Sequence, residues 1–228
     1  MKQAHVKKLN DVMNSIRWHL SGPEIEAESF RTITEECPQS ADMDEATWRV
    51  ARRLIHTTAD PSIADGLCFR HNPVQAGLDA MNNACNIICD SKMIRAGISM
   101  DKLQRINPKY NPEHLICAIS DDDVIARAKA EGRTRAMCAA EKVRPMLDGA
   151  IVLVGNAPLS LARFARYILE EQAKPALIIG MPVGFVNVVE SKELLAFCDV
   201  PHIVLEGRRG GSALAVCTLH AIMENALG

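Results

Sequence analysis

The stretch Ile151-Val-Leu-Val-Gly-Asn-Ala-Pro158 decides the fold class, because it reads as an apolar strand that runs into a glycine turn and opens a helix. Two later stretches repeat the pattern: Leu177-Ile-Ile-Gly-Met-Pro-Val-Gly-Phe185 and Ile203-Val-Leu-Glu-Gly-Arg-Arg-Gly-Gly-Ser212. Short β-branched runs followed by helix-length segments are typical of parallel strands in βαβ units. Ligands of such sheets bind beyond the carboxyl ends of the strands. The glycine turns are therefore where a functional site is expected.

The glycine turns also indicate the chemistry of the ligand. Glycine lets backbone N–H groups approach a ligand closely, and the start of a helix favours anions. A ligand rich in carboxylates or phosphates fits best. With further apolar runs near residues 86 and 115, the chain predicts a mostly parallel sheet of about five strands. The expected fold is a Rossmann-like, three-layer α/β/α sandwich over residues 21–228, preceded by an amphipathic helical extension over residues 1–20.

Composition narrows the class of protein. The 228 residues are 48% hydrophobic and 24% charged, which suits one globular domain with a substantial core. A formal net charge of −2 and 4% aromatic residues argue against nucleic-acid binding. The eight cysteines include no Cys-x-x-Cys pair, so we interpret them as buried thiols of a cytoplasmic protein. No signal peptide and no apolar run long enough to span a membrane is evident.

The first two predicted helices contain an apolar stripe and a serine, Ser29, and each of these features allows two interpretations. The apolar stripe of residues 1–20 predicts either a helix docked on its own domain or a contact between subunits. The sequence Ser21-Gly-Pro-Glu24 predicts a capping box that starts the second helix. Ser29 falls on the apolar face of that helix, where a hydroxyl usually bonds to the carbonyl of the preceding turn. On the residues alone, that structural role is favoured for Ser29.

The third helix is predicted over residues 42–58, and Asp60-Pro61 ends it. Arg53 and His56 lie opposite its apolar face. A histidine near the end of a helix is more often a solvated surface residue than a catalyst, so both interpretations of His56 stay open at this point. Further along, the sequence Glu131-Gly-Arg-Thr-Arg135 predicts a break, with Thr134 capping a new helix and Arg135 in its first turn. An arginine there opposes the helix dipole, which is consistent with either a ligand contact or a surface salt bridge.

Several common chemistries are excluded by their missing motifs. The dinucleotide pattern Gly-x-Gly-x-x-Gly, the P-loop and the Gly-x-Ser-x-Gly nucleophile turn are all absent. The seven histidines show no paired metal ligands at helical spacing, so a protein-bound metal is not expected. Glycine turns, arginines and one histidine remain. That set suits an enzyme that grips a large anion and supplies a proton.

The chain resembles the precorrin-8X methylmutase family, which includes the cobalt-precorrin-8 methylmutases of vitamin B12 biosynthesis. The resemblance covers residues 23–226 in order, and several glycine or proline motifs in register make it specific. The motifs are Ile25-Glu26, Ser29-Phe30, Arg53-Leu-Ile-His56, Asp90 with Met93 and Gly97, Thr134-Arg135, Gly155-Asn-Ala-Pro158, Gly180-Met-Pro-Val-Gly-Phe-Val186, Glu190-Ser-Lys192 and Gly207-Arg-Arg-Gly-Gly-Ser212.

The resemblance implies an isomerase that moves a methyl group from C-11 to C-12 in ring C of a tetrapyrrole, giving hydrogenobyrinic acid or cobyrinic acid. It implies no dissociable cofactor, since any cobalt is carried by the substrate, and it implies a homodimer. His56 matches the catalytic histidine of the family, which now favours the catalytic interpretation. Its implied role is that of a general acid, which is worth roughly two to four powers of ten in rate.

The substrate carries acetate and propionate groups, which suit arginine guanidinium and backbone N–H donors. The resemblance leaves the role of Ser29 evenly balanced between the core and the substrate. The family's threonine after the Asn-Ala-Pro turn is replaced by Leu159-Ser160, so Ser160 is the candidate to take its place. The expected substrate contacts are Ser29, Arg53, Asp90, Thr134, Arg135, Asn156, Gly210, Gly211 and Ser212.

Two other functions remain as alternatives. A non-catalytic carrier would bind the same tetrapyrrole and tolerate loss of His56 in binding and in pathway flux. A nucleotide-dependent oxidoreductase would bind NAD, against which the missing fingerprint argues. The sequence does not distinguish a metal-free substrate from one that carries cobalt.

Overall fold

The computed structural model of the chain describes residues 2–37, 39–40 and 42–227. Its contacts divide the chain into two compact units, Met1–Pro38 and Gln39–Gly228. The first unit contains α1 (Lys2–Ser15) and α2 (Gly22–Glu36). The sequence predicts a boundary after residue 20, whereas the contacts place it after residue 38, so that α2 is grouped with α1.

The first unit confirms the predicted start of α2. The Ser21 N–H donates to the Glu24 carboxylate at 2.8 Å, as the capping box requires, and Pro23 lies in the first turn. Helix α1 ends at Ser15, five residues before the predicted limit. Its apolar stripe is about half exposed.

The second unit is built on a six-stranded sheet in the order β1-β6-β5-β4-β2-β3. All neighbouring pairs are parallel except β1 with β6. The prediction of about five strands missed β1, an antiparallel edge strand that contains no β-branched residue. The third strand is also shorter than predicted. The strands are β1 (Leu67–Arg70), β2 (Ile87–Cys89), β3 (Leu115–Ile116), β4 (Ile151–Val154), β5 (Leu177–Gly180) and β6 (His202–Leu205).

Helices cover both faces of the sheet, which confirms the three-layer α/β/α architecture. Helices α7 to α10 enclose one core with Val152 and Val154 of β4, while α3 to α6 and α11 pack on the opposite side. The helices are α3 (Glu45–Thr58), α4 (Pro73–Asn82), α5 (Lys92–Gly97), α6 (Met100–Ile106), α7 (Asp122–Glu131), α8 (Arg135–Lys142), α9 (Pro158–Glu171), α10 (Val188–Ala196) and α11 (Ser212–Leu227), with 3-10 turns at Pro61–Gly66, Pro112–His114 and Arg144–Met146.

Helix α3 presents the predicted catalytic histidine. It begins at Glu45 instead of residue 42, because the Asp44 side chain caps it by accepting the Thr47 N–H at 2.7 Å. One face, which includes Leu54 and Ile55, is buried against α11 and its neighbours. The helix ends at the left-handed residue Ala59, so His56 lies in its last turn.

The strand order reverses between β2 and β4. From β2 the chain moves outward to β3, whereas from β4 it moves in the opposite direction to β5 and β6. The helices that follow β2 and β4 accordingly lie on opposite faces of the sheet. Such a reversal opens a crevice at the carboxyl ends of the two strands, which is the usual ligand site of this architecture.

Candidate active site

A buried carboxylate organises the crevice between β2 and β4. Asp90 follows β2 directly and is only 8% exposed. Its Oδ2 accepts the backbone N–H groups of Asn156 at 2.8 Å and Ala157 at 2.7 Å. Burial raises the pKa of Asp90 by more than these hydrogen bonds lower it. Asp90 therefore holds the turn that follows β4.

This arrangement corrects one sequence-based expectation. We expected backbone donors of the Asn156 turn to meet substrate carboxylates, but Asp90 already occupies the N–H groups of Asn156 and Ala157. The exposed side chain of Asn156 is what this turn offers to a ligand. The role of Asp90 seen in the structure is to fix the turn, and its contact with substrate stays a prediction.

The three glycine turns interlock at this edge of the sheet. A Cβ on Gly155 would lie 2.6 Å from the Cα of Ser212, and a Cβ on Gly210 would lie 2.3 Å from the carbonyl oxygen of Met181. The Gly211 N–H donates to that same Met181 carbonyl at 2.8 Å. Only glycine permits these approaches. The Gly211 N–H is thus already hydrogen-bonded within the protein, as are the N–H groups of Asn156 and Ala157.

A cavity of about 510 Å³ lies along α11, between α3, α5 and α6. The start of α11 contributes Ser212 to its wall, and Arg53 and Thr57 contribute from α3. The charged and polar side chains that line the remaining wall are Lys102, His220 and Glu224. The cavity therefore joins the predicted contacts Arg53 and Ser212, which are far apart in sequence.

Cationic side chains outnumber carboxylates among the residues that line this cavity. Glu224 accepts from Arg53 at 2.6 Å and from Lys102 at 2.8 Å. Burial opposes ionisation of Glu224, but the two cationic donors outweigh it, and the pKa of Glu224 is lowered. One carboxylate of the wall thus faces two cations, which suits an anionic ligand.

His220 contributes a neutral ring to the same wall. Its Nε2 accepts the Ser99 N–H at 3.0 Å, so the ring proton of the neutral form sits on Nδ1. Burial lowers the pKa of His220, and the nearby Lys102 lowers it further. The imidazole is therefore held in its uncharged form as a hydrogen-bond donor through Nδ1.

His56 shares a helix face with the cavity-lining Arg53, since the two residues are three positions apart on α3. It is half-buried, and the next residue, Thr57, also lines the cavity. His56 does not itself line the cavity. Its position between Arg53 and Thr57 places the predicted catalytic histidine next to the cavity wall, in the last turn of α3.

The other predicted site residues lie on helices and are not among the residues that line the cavity, and two of them start α8. Thr134 caps α8 by accepting the Met137 N–H at 3.3 Å, and Arg135 opens that helix, as predicted. Both residues are exposed. Ser29, in the first unit, donates to the Ile25 carbonyl at 2.8 Å, which is the structural role expected from its position. Ser160 is buried and donates to the Ala136 carbonyl at 3.0 Å. The hydroxyl of Ser160 therefore points to the protein backbone.

Sequence reasoning missed Lys102, His220 and Glu224. A signal for two of them exists in the sequence, because His220 and Glu224 are the two ionisable residues other than Cys217 in the mostly apolar helix α11, four positions apart. Lys102 has no such signal. Its partner Glu224 is 122 positions away, and only the packing of α6 on α11 brings them together.

Among the residues that the structure describes, no three His, Cys, Asp or Glu side chains are arranged to hold a metal ion. No helix in the described part of the chain is long and apolar enough to cross a membrane.

Comparison with known proteins decides the family. The sequence model of the precorrin-8X methylmutase family matches residues 24–225, from the first turn of α2 to the last turn of α11. The chain belongs to the precorrin-8X methylmutase family. This assignment confirms the resemblance indicated by the glycine motifs, and the matched range differs by one residue at each end from the expected 23–226.

Relatives within the precorrin-8X methylmutase family are similar over nearly their full length. The cobalt-precorrin-8 methylmutase of Leptospira interrogans is 38% identical over 211 residues, 89% of this chain and 93% of that protein. The precorrin-8X methylmutase of Pseudomonas aeruginosa is 36% identical over 206 residues, 88% of this chain and 94% of that protein. A crystal structure of the Thermus thermophilus precorrin-8X methylmutase matches with a TM-score of 0.81 and 40% identity, covering 90% of this chain and 96% of the other.

Proposed function

We propose that this protein is a methylmutase of cobalamin biosynthesis that moves a methyl group from C-11 to C-12 in ring C of precorrin-8X or cobalt-precorrin-8. The product is hydrogenobyrinic acid or cobyrinic acid. The observation that carries the proposal is family membership over residues 24–225, with full-length relatives named for this reaction. The positively charged cavity beside His56 supports a substrate with carboxylate substituents.

The proposed catalytic group is His56, acting as a general acid toward the ring C region. Protonation makes the macrocycle a better electron acceptor, which eases migration of the methyl group. The half-buried position of His56 beside the cavity wall supports this role. Holding the macrocycle in a reactive shape supplies the rest of the rate acceleration.

Substrate binding is assigned to charged groups of the cavity and to exposed turn residues. Arg53 and Lys102 offer charge-assisted hydrogen bonds to carboxylates, with Glu224 fixing both before substrate enters. Ser212 lines the same cavity. Thr134, Arg135 and Asn156 are the exposed residues among the remaining proposed contacts. The resemblance also implies Ser29, Asp90, Gly210 and Gly211, of which Asp90 is buried and the Gly211 N–H is already bonded to the Met181 carbonyl.

We propose no dissociable cofactor, because proton transfer and substrate positioning suffice for this isomerisation. Any cobalt belongs to the substrate. We place the enzyme in the cytoplasm, a proposal supported by the eight cysteines, all of which are free thiols.

We further propose that the enzyme is a homodimer and that α1 contributes to the contact. The half-exposed apolar stripe of Val6, Leu9 and Met13 on α1, with Ile16 directly after the helix, supports this assignment. Light scattering of Leu9→Glu tests it, with Lys8→Glu on the same helix as the control. A dimer that dissociates in the first variant and persists in the second supports the assignment, whereas a dimer that persists in both contradicts the role of α1.

The decisive experiment for the function incubates the purified protein separately with precorrin-8X and cobalt-precorrin-8 and follows the absorbance spectrum. We expect conversion of at least one substrate, and the preferred one identifies the metal status. Binding of either compound without conversion would favour the tetrapyrrole carrier instead. Conversion of neither would overturn the proposed reaction.

A further inference from the structure

We propose that Lys192 is a positioning residue for the methylmutase reaction, which holds the turn after β6 and, through Arg209, the end of the helix that carries His56. The proposal rests on the function proposed above. Lys192 lies on α10 and does not line the cavity beside His56. It acts through other residues and not on the substrate.

The first link is between Lys192 and the turn. The side chain is 4% exposed, and its Nζ donates to the carbonyl oxygens of Gly207 and Arg209, both at 2.8 Å. Burial lowers the pKa of Lys192 to about 8. Burying an ammonium group is unfavourable unless its donors are satisfied, so these two carbonyls are what keep it in place.

The turn itself requires such support. Gly207, Gly210 and Gly211 all have positive φ angles, of 69°, 159° and 130°. Glycine accepts these angles readily but also loses more conformational freedom on ordering than any other residue. Two hydrogen bonds from a buried ammonium group restrict the turn at both Gly207 and Arg209.

The second link runs from the turn to α3. The Arg209 guanidinium donates to the Asp60 carboxylate at 2.8 Å and to the Ser62 hydroxyl and carbonyl at 3.1 and 3.0 Å. Asp60 also caps the 3-10 turn that follows α3, by accepting the Ser62 N–H at 2.9 Å. Arg209 therefore connects a turn held by Lys192 to the C-terminal end of the helix that carries His56.

The third link runs from the turn to the cavity. Gly210 and Gly211 lie against the Met181 carbonyl, and the next residue, Ser212, starts α11 and lines the cavity. A shift of the turn therefore moves the start of α11 and loosens the end of α3 together. Misplacement of reacting groups by about 1 Å costs up to roughly a hundredfold in rate.

A double-mutant cycle tests whether Lys192 and Arg209 act through the same turn. The variants are Lys192→Met, Arg209→Met and the double variant, and the control is Lys129→Met, which removes an exposed lysine from α7. The measurements are kcat and KM with whichever substrate the wild type converts, thermal unfolding, and hydrogen exchange at the Gly211 amide, which is hydrogen-bonded to the Met181 carbonyl at 2.8 Å.

We expect each single variant to lower kcat/KM by roughly tenfold or more, and the double variant to lose about as much as either one, since both act through one turn. Hydrogen exchange at the Gly211 amide should accelerate in Lys192→Met. The folded fraction of this variant at the assay temperature should equal that of the wild type, and the Lys129→Met control should match the wild type in kinetics and in exchange.

Three outcomes would each overturn the positioning role of Lys192. The first is wild-type kcat and KM in Lys192→Met, and the second is a double variant whose loss is the product of the two single losses. The third is a loss of activity that only follows the unfolded fraction. Hydrogen exchange is measured without substrate. Unchanged exchange at Gly211 therefore contradicts the anchoring even if the conversion assay contradicts the proposed reaction.

Discussion

The backbone of Gly155 lies directly against that of Ser212, so that a Cβ at Gly155 would come within 2.6 Å of the Ser212 Cα and 2.7 Å of its nitrogen. The turn after β4 can therefore approach the start of α11 this closely only because residue 155 is a glycine. Both obstructing atoms belong to the backbone, so neither can move aside as a flexible side chain would.

We predict that Gly155→Ala separates the two elements and destabilises the protein by about 1–3 kcal/mol, the usual cost of overpacking. Because Ser212 lines the cavity, kcat/KM should fall as well. Urea unfolding and steady-state kinetics check both effects. Gly22→Ala is the matched control, since a Cβ there meets no atom within 4 Å. Equal stability of the two variants would contradict the close contact.

We predict that His56→Ala keeps substrate affinity and lowers kcat by roughly two to four powers of ten, because the variant removes the general acid. Calorimetric binding of the product and single-turnover absorbance kinetics separate the two quantities. His19→Ala, which removes an exposed histidine between α1 and α2, serves as the control. A variant that loses binding as much as turnover would point to a role in recognition instead.

The raised pKa of Asp90 predicts the direction in which the stability of the protein changes with pH. Its folded-state pKa is raised above the ordinary value of 3.8, so the folded state binds a proton more readily than the unfolded state. Stability therefore falls as pH rises through the window above 3.8. We expect the unfolding free energy of the wild type, relative to Asp90→Asn, to decrease as pH rises through this window.

The amide oxygen introduced by Asp90→Asn can still accept the Asn156 and Ala157 N–H groups, as the carboxylate Oδ2 does in the wild type. Asp90→Ala, which cannot, is the contrasting variant and should be less stable than Asp90→Asn at every pH. Urea titrations from acidic to neutral pH measure the difference. A wild type that gains stability relative to Asp90→Asn as pH rises would refute the assignment.

We predict that Glu141 contributes more to the free energy of unfolding than exposed carboxylates such as Glu170 do. It is 10% exposed and pairs with Arg133 and Arg163, and with Arg127 at 2.6 Å. The hydrogen bond from Arg133, more than that from Arg163, lowers the pKa of Glu141 to about 2. The stabilisation it provides is present above its unfolded pKa, near 4.5, and is lost as pH falls toward about 2.

Glu141→Gln should therefore lower the unfolding free energy by about 2–3 kcal/mol at neutral pH, since it leaves three guanidinium groups without their shared carboxylate. Thermal and urea unfolding measure this loss. Glu170→Gln, which breaks an exposed pair with Arg166, is the control and should change stability much less. Similar losses in the two variants would show that the network around Glu141 is not cooperative.

Local patterns in the sequence were sufficient to predict the parallel strands β4, β5 and β6 and their glycine turns. Each is a run of apolar residues that is bounded by glycine, so the signal lies within about ten residues. The strand β1 was missed because Leu67-Cys-Phe-Arg70 has no such signal, and it becomes a strand by pairing with β6. Edge strands formed by distant pairing are weakly encoded in local sequence.

For the candidate site, the sequence marked His56, Arg53 and Lys192 through resemblance, but it did not indicate their hydrogen-bond partners. Glu224 lies 171 positions from Arg53, and Lys192 lies 15 and 17 positions from the carbonyls that it holds. No spacing rule connects such pairs. The packing of α11 on α3 and of α10 near the last turn creates them.

The sequence by itself determined the fold class, the family and the glycine turns at which the site forms, because these depend on residue types in short, ordered motifs. Only the tertiary structure decided which donors remain for a ligand. Asp90 takes the N–H groups of the Asn156 turn, and the Met181 carbonyl takes that of Gly211. Buried polar groups must find hydrogen-bond partners, and in this protein the partners come from strands and turns that are distant in sequence.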